Sequence, residues 1–165
     1  MKPPISLGLG EQAITRDPED VLVAYGLGSC VAVTMIDPVS HVSGLLHAVL
    51  PRRADGSESR RATAGTYVDD GIEGLIAAMV SEGAQKARLV VRLVGGANML
   101  LSPAQGKTSF DIGTRNVDMA HTTLRRLNLP VAAEEVGGHT GRTVRLYVGD
   151  SRVTVRVIGE KEHEI

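Results

Sequence analysis

Two apolar runs, Cys30–Ile36 and Val42–Leu50, stand on either side of Asp37-Pro38-Val39-Ser40. Runs rich in Val and Leu, bounded by Gly, Asp, Pro and Ser, read as strands. A connection this short forces them to pair antiparallel. A tight turn centred on Pro38-Val39 opposes Cys30 to His47, with Cβ atoms roughly 4.5–5.5 Å apart on one sheet face. A thiol beside an imidazole is the minimum equipment of a cysteine hydrolase or transferase: the ring takes the proton and the sulfur attacks an acyl carbon. A one-residue slip would send His47 to the other face.

Cys30 closes the turn Gly26-Leu27-Gly28-Ser29-Cys30. The backbone N–H groups of Gly28, Ser29 and Cys30 are candidate oxyanion donors, with no bulky side chain before the thiol to block approach. A lone cysteine also serves as a small buried hydrophobe, so the glycine turn and the opposed histidine carry the catalytic reading. Among the other histidines, His41, His121 and His163 read as solvated surface. His139 lies in the glycine-rich Gly137-Gly138-His139-Thr140-Gly141-Arg142, which reads first as a turn.

The rest of the chain alternates strands and helices. Val21–Tyr25 precedes the glycine turn. Pro51–Thr66 holds Arg52, Arg53, Arg60 and Arg61 and reads as a mobile surface loop. Val68, Ile72, Leu75, Ile76, Met79 and Val80 recur at helical spacing, with Asp69-Asp70 at the start and Gly83 at the end. Ala87–Val94 is a strand ending in Gly95-Gly96. A second helix runs from Thr114 or Arg115 to Asn128, with Pro130 beyond it; Arg115-Asn116 tie its start to the sheet. Val131–Val136, Thr143–Val148 and Arg152–Ile158 are the last strands, the latter two joined by a tight Gly149-Asp150 turn. Residues 1–6 and 159–165 read as flexible tails of one domain spanning 1–165. The expected architecture is α/β: a layered sandwich of mixed or antiparallel sheets with two main helices.

Composition narrows the function. The formal net charge is −1, and the chain has no Trp, one Phe and three Tyr, so neither a polyanion nor stacked bases are favoured partners. One cysteine permits no internal disulfide and no multi-cysteine zinc site, and no metal or cofactor is expected. The N-terminus shows no long apolar run, so a cytoplasmic protein without membrane insertion is expected.

Gly26-Leu27-Gly28-Ser29-Cys30 and Gly44-Leu45-Leu46-His47-Ala48-Val49-Leu50-Pro51 together resemble the chemoreceptor glutamine deamidase family, CheD. Gly95-Gly96-Ala97-Asn98-Met99, Ile112-Gly113-Thr114-Arg115-Asn116-Val117 and Gly137-Gly138 with Gly141-Arg142 follow in the family's order. The likeness runs from Gly8 to Val157. It implies a fold similar to the catalytic domain of deamidating toxins. It also implies hydrolysis of receptor glutamines to glutamate, with Cys30 as nucleophile and His47 as base. Its implied partners are the cytoplasmic helical domains of chemoreceptors and a CheC-type phosphatase, met as a monomer or in a heterocomplex. Ala24 stands where the family usually has a Thr that supports the dyad, and Ser29 or Tyr25 are candidate substitutes. Asn98 and Thr114 are candidate polar supports near the pocket. The competing readings are a non-catalytic regulator that binds the CheC-type partner, and a hydrolase acting on a receptor methyl ester.

Overall fold

The computed structural model describes residues 2–53, 62–99 and 111–165. In chain order the elements are β1 (Ile5–Ser6), β2 (Gln12–Thr15), β3 (Val21–Leu27), β4 (Val31–Ile36), β5 (Ser43–Ala48), α1 (Val68–Ser81), β6 (Val90–Gly95), α2 (Ile112–Arg126), β7 (Val131–Val136), β8 (Arg142–Tyr147), β9 (Arg152–Val157) and β10 (His163–Glu164). They form two five-stranded sheets. The outer sheet has the order β1-β3-β8-β9-β10 and the central sheet β2-β5-β4-β6-β7. Both are mixed: β1 runs parallel to β3 and β6 parallel to β7, with the other pairs antiparallel. The parallel β6–β7 pair needs a crossover, and α2 supplies it. No helix among the described residues is long and apolar enough to cross a membrane.

Alternation sorts the side chains into two cores. Val31, Val33 and Met35 of β4, with Leu46 and Ala48 of β5, meet the stripe Val68, Ile72, Leu75, Ile76 and Met79 of α1 and Val117, Ala120 and Leu124 of α2. Ala32, Ile36 and Leu45 point the other way and meet Leu22, Ala24, Leu27, Val144, Leu146 and Val155 of the outer sheet. The middle of the central sheet is therefore buried on both faces, and β4 and β5 are buried along their whole lengths. The result is three layers: helices, central sheet, outer sheet.

Several expectations are corrected. The β4–β5 pair is antiparallel, but Ala32 opposes His47 and Val31 opposes Ala48. The register is shifted from the Cys30–His47 pairing because the connection is longer than a tight turn. Asp37 accepts from the backbone N–H groups of Val39 at 3.0 Å and Ser40 at 3.4 Å, and its own N–H donates to Val42 O at 2.9 Å. The slip is two residues, an even number, so Cys30 and His47 still point to one face.

The C-terminal tail does not hang free. His163–Glu164 pair with β9, and the Ile165 N–H donates to Val153 O at 3.0 Å. At the other end Ile5–Ser6 add a parallel strand beside β3. α2 begins at Ile112, earlier than the Thr114 or Arg115 expected, and ends at Arg126, short of Asn128. Of the expected mobile loop, Arg60 and Arg61 lie outside the described residues. Its far end is anchored: Thr66 O accepts from Val49 and Leu50 N–H, each at 3.0 Å, and Thr63 Oγ1 donates to Gly10 O. Strand β7 begins and ends as read, and β8 and β9 lie within a residue of their expected limits.

Candidate active site

The chain leaves the outer sheet at Leu27 and enters the central sheet at Val31. The three residues of that crossing are Gly28, Ser29 and Cys30. The cysteine thus sits at one end of the sandwich, half-buried and packed against the inter-sheet core.

Every carbonyl of the crossing is tied. Gly28 O accepts from Ala97 N–H and Cys30 O from Gly96 N–H, both at 2.8 Å. Ser29 O accepts from the Asn116 carboxamide at 2.8 Å. The Gly95 strand end can approach this closely only because it has no side chain. A Cβ there would lie 2.3 Å from Cys30 O, and its φ of +107° is one that L side chains rarely adopt. The start of α2 is equally tight, since a Cβ on Gly113 would meet Ala97 O and Gly96 O at 2.5 Å. Among the described residues, the N–H groups of Gly28, Ser29 and Cys30 donate to no other residue.

His47 is buried on the inter-sheet face. Its Nδ1 lies 3.1 Å from Leu7 O. A carbonyl can only accept, so Nδ1 carries the proton and Nε2 presents a lone pair. The same N-terminal segment holds the histidine backbone: His47 N–H donates to Glu11 O at 2.9 Å and Gly10 N–H donates to His47 O at 2.8 Å. The diagonal of a ladder places Cys30 and His47 roughly 7–8 Å apart, within reach of a long side chain. No hydrogen bond joins thiol to imidazole among the described residues. Burial pushes the Cys30 thiol above its ordinary pKa, with its own backbone N–H working in the opposite direction.

The remaining sequence candidates sort as follows. Ala24 is fully buried in the inter-sheet core and offers no hydrogen-bonding side chain. Neither Ser29 nor Tyr25 bonds to His47; Tyr25 is exposed, with the Arg145 guanidinium over its ring at 5.6 Å. Asn98 and Thr114 bond to each other, Nδ2 to Oγ1 at 2.8 Å. That pair joins the 95–99 segment to α2, and His139 joins from the other side, with Nδ1 at 2.9 Å from Asn98 O. Met99 stands over the turn, exposed, at 3.2 Å from where a Gly28 Cβ would be. Buried Arg142 donates to Gly95 O at 3.2 Å, and burial lowers its pKa against the pull of Glu135. His121 and His163, read as plain surface, pair with Glu134 at 2.6 Å and Glu135 at 2.7 Å.

One support escaped the sequence reading, as did the targets of another. The Leu7 carbonyl is main chain and leaves no residue-type signal. Asn116 was read as tying α2 to the sheet, but the targets of that tie, Ser29 and Val49, appear only in the fold.

A family model described as CheD chemotactic sensory transduction matches residues 49–157. The chain is 41% identical to a protein of Symbiobacterium thermophilum named a probable chemoreceptor glutamine deamidase CheD, over 97% of this chain and 96% of that one. It is 37% identical to a similarly named protein of Caldanaerobacter subterraneus, over 94% and 93%, and 39% identical to one of Pyrococcus abyssi over the same shares. With the glycine–cysteine crossing and the buried histidine falling inside these near full-length alignments, the chain belongs to the CheD family.

Proposed function

We propose that this protein is a cysteine-dependent glutamine deamidase that converts selected glutamine side chains of chemoreceptors to glutamate. The observation that carries the reading is the shared inter-sheet face: a thiol on a glycine crossing, and a histidine whose tautomer leaves Nε2 free to accept a proton. The relatives' names supply the substrate class.

His47 Nε2 takes the Cys30 proton as the sulfur attacks the carboxamide carbon, forming a C–S bond and a tetrahedral oxyanion. Backbone N–H groups of the crossing receive the oxyanion. The C–N bond then breaks, and the imidazolium proton leaves with the nitrogen as ammonia. Water attacks the thioester with His47 again as base, releasing the carboxylate and restoring the thiol. Each cycle adds one negative charge to a receptor helix, where like charges at helical spacing repel. The receptor's helical domain lies in the cytoplasm, and so does the site of action.

A receptor cytoplasmic fragment incubated with the purified protein is expected to release ammonia and to show the amide-to-acid mass change at discrete glutamines. Cys30→Ala is expected to abolish both, and His47→Ala to slow them roughly 10²–10⁴-fold. Ammonia release that persists in Cys30→Ala would sink the assignment.

A second reading is favoured by the raised thiol pKa and by Ala24: a regulator that binds a CheC-type phosphatase without needing its thiol. That reading expects Cys30→Ala to leave phosphatase stimulation and receptor signalling intact while wild type releases no ammonia.

A further inference from the structure

Asn116 lies near the start of α2 and is fully buried. Its Nδ2 donates to Ser29 O at 2.8 Å and to Val49 O at 2.9 Å. Two carbonyls can be satisfied only by the amide's NH2 end, so the side chain has one orientation. Its Oδ1 is then left buried without a partner among the described residues. A buried, unpaired amide oxygen lowers stability, and such a group calls for an explanation beyond packing.

The explanation is in what the two carbonyls flank. Ser29 immediately precedes Cys30, and Val49 follows His47 by two residues. One carboxamide therefore ties the segment bearing the thiol to the segment bearing the imidazole. The Ser29–Cys30 peptide is trans, so its N–H points away from its carbonyl. Holding Ser29 O toward α2 turns the Cys30 N–H away from α2, and that N–H donates to no other described residue. The neighbouring Gly28 and Cys30 carbonyls are held by main-chain N–H groups. Of the three carbonyls, the middle one is held by a side chain, so truncating one residue removes its hold.

We propose that Asn116 is a positioning residue that keeps the Ser29–Cys30 peptide turned for oxyanion stabilisation and in step with the His47 strand. This rests on the cysteine–histidine reading above. The positioning role is tested without a receptor, by two reactions of the same sulfur. With iodoacetamide the sulfur displaces iodide and no oxyanion forms. With p-nitrophenyl acetate it attacks the acyl carbon, an oxyanion forms, a C–S bond replaces the C–O bond, and p-nitrophenolate leaves.

In Asn116→Ala the acylation rate is expected to fall roughly 10²-fold relative to wild type, with the alkylation rate and its pH profile unchanged. Cys30→Ala supplies the blank. Should the Ala variant fail to fold, Asn116→Ser keeps one short donor and is expected to fall between wild type and that loss. An unchanged ratio of acylation to alkylation overturns the proposal. So does an equal fall in both rates, which would mark a purely structural residue, and so does a wild-type thiol that alkylates but does not acylate. Ammonia release from receptor fragments by wild type is read separately, so failure of the deamidase reading is not confused with failure of the positioning role.

Discussion

His47 has one ring nitrogen committed to Leu7 and one open, while Cys30 sits in surroundings that favour its neutral form. This pairing argues against a standing thiolate–imidazolium pair in the free protein. Desolvation raises a thiol pKa because the charged form loses its hydration, and no described cation lies in contact to offset it. Under the proposed function, proton transfer accompanies attack, when the substrate has expelled water and the oxyanion donors are engaged. Iodoacetamide alkylation of the free wild-type protein is therefore expected to inflect above the ordinary thiol value of about 8.5. His47→Ala should shift that inflection little, while acyl turnover collapses. An inflection near neutral pH that moves upward in His47→Ala would show instead a preformed ion pair.

The connection between β4 and β5 sets which residues face each other, and Asp37 sets the connection. Its side chain is fully buried and holds Arg88 through Nε at 2.9 Å and Nη2 at 2.8 Å, together with the Gln85 N–H at 2.9 Å. The Arg88 guanidinium, ahead of these backbone donors, holds the carboxyl well below the usual carboxylate range. A depressed folded pKa means that this stabilisation is complete above the ordinary value of about 3.9 and is lost as pH falls toward the folded value. Asp37→Asn is expected to lower stability by about 1–3 kcal/mol at neutral pH. Thermal melts of wild type and variant should converge in acid, and curves that stay parallel would remove the argument.

Asp37 also explains what the sequence hid at this scale. Alternation of Val144 and Leu146, then Val153 and Val155, made β8 and β9 legible, and the helical stripe from Val68 to Met79 did the same for α1. Both faces of the hairpin partners were already written in Cys30–Ile36 and Val42–Leu50. The register was not, because a carboxylate taking turn N–H groups lengthens a loop without altering hydrophobic pattern. Two-residue strands such as β1 and β10 carry too few positions to show a period. Pairing with β3 and β9, not propensity, creates them.

Across the whole molecule, the proposed nucleophile lies where the chain passes between sheets, and the C-terminal strand closes an edge of the outer sheet. β10 covers β9, and Glu162 accepts from Thr154 and Arg145 while His163 meets Glu135 of β7. Thr154, then Arg145, lowers the Glu162 pKa, so this tie too weakens only as pH falls below the ordinary glutamate range. Deleting residues 161–165 is expected to lower the urea midpoint, for a loss of about 1–3 kcal/mol, while leaving the Cys30 alkylation rate unchanged. A changed alkylation rate would mean that the edge and the crossing are coupled.

The N-terminal edge is different, because it reaches His47, the proposed base. Leu7 lends His47 an oxygen that every amino acid possesses. Replacing the side chain at position 7 leaves that oxygen in place, although the Leu7 side chain is also buried in the inter-sheet core. What must be inherited is the path and the count of residues from β1 to β2. One residue gained or lost between Ser6 and Gly8 would move that oxygen out of register with His47, which a conservative apolar replacement of Leu7 would not.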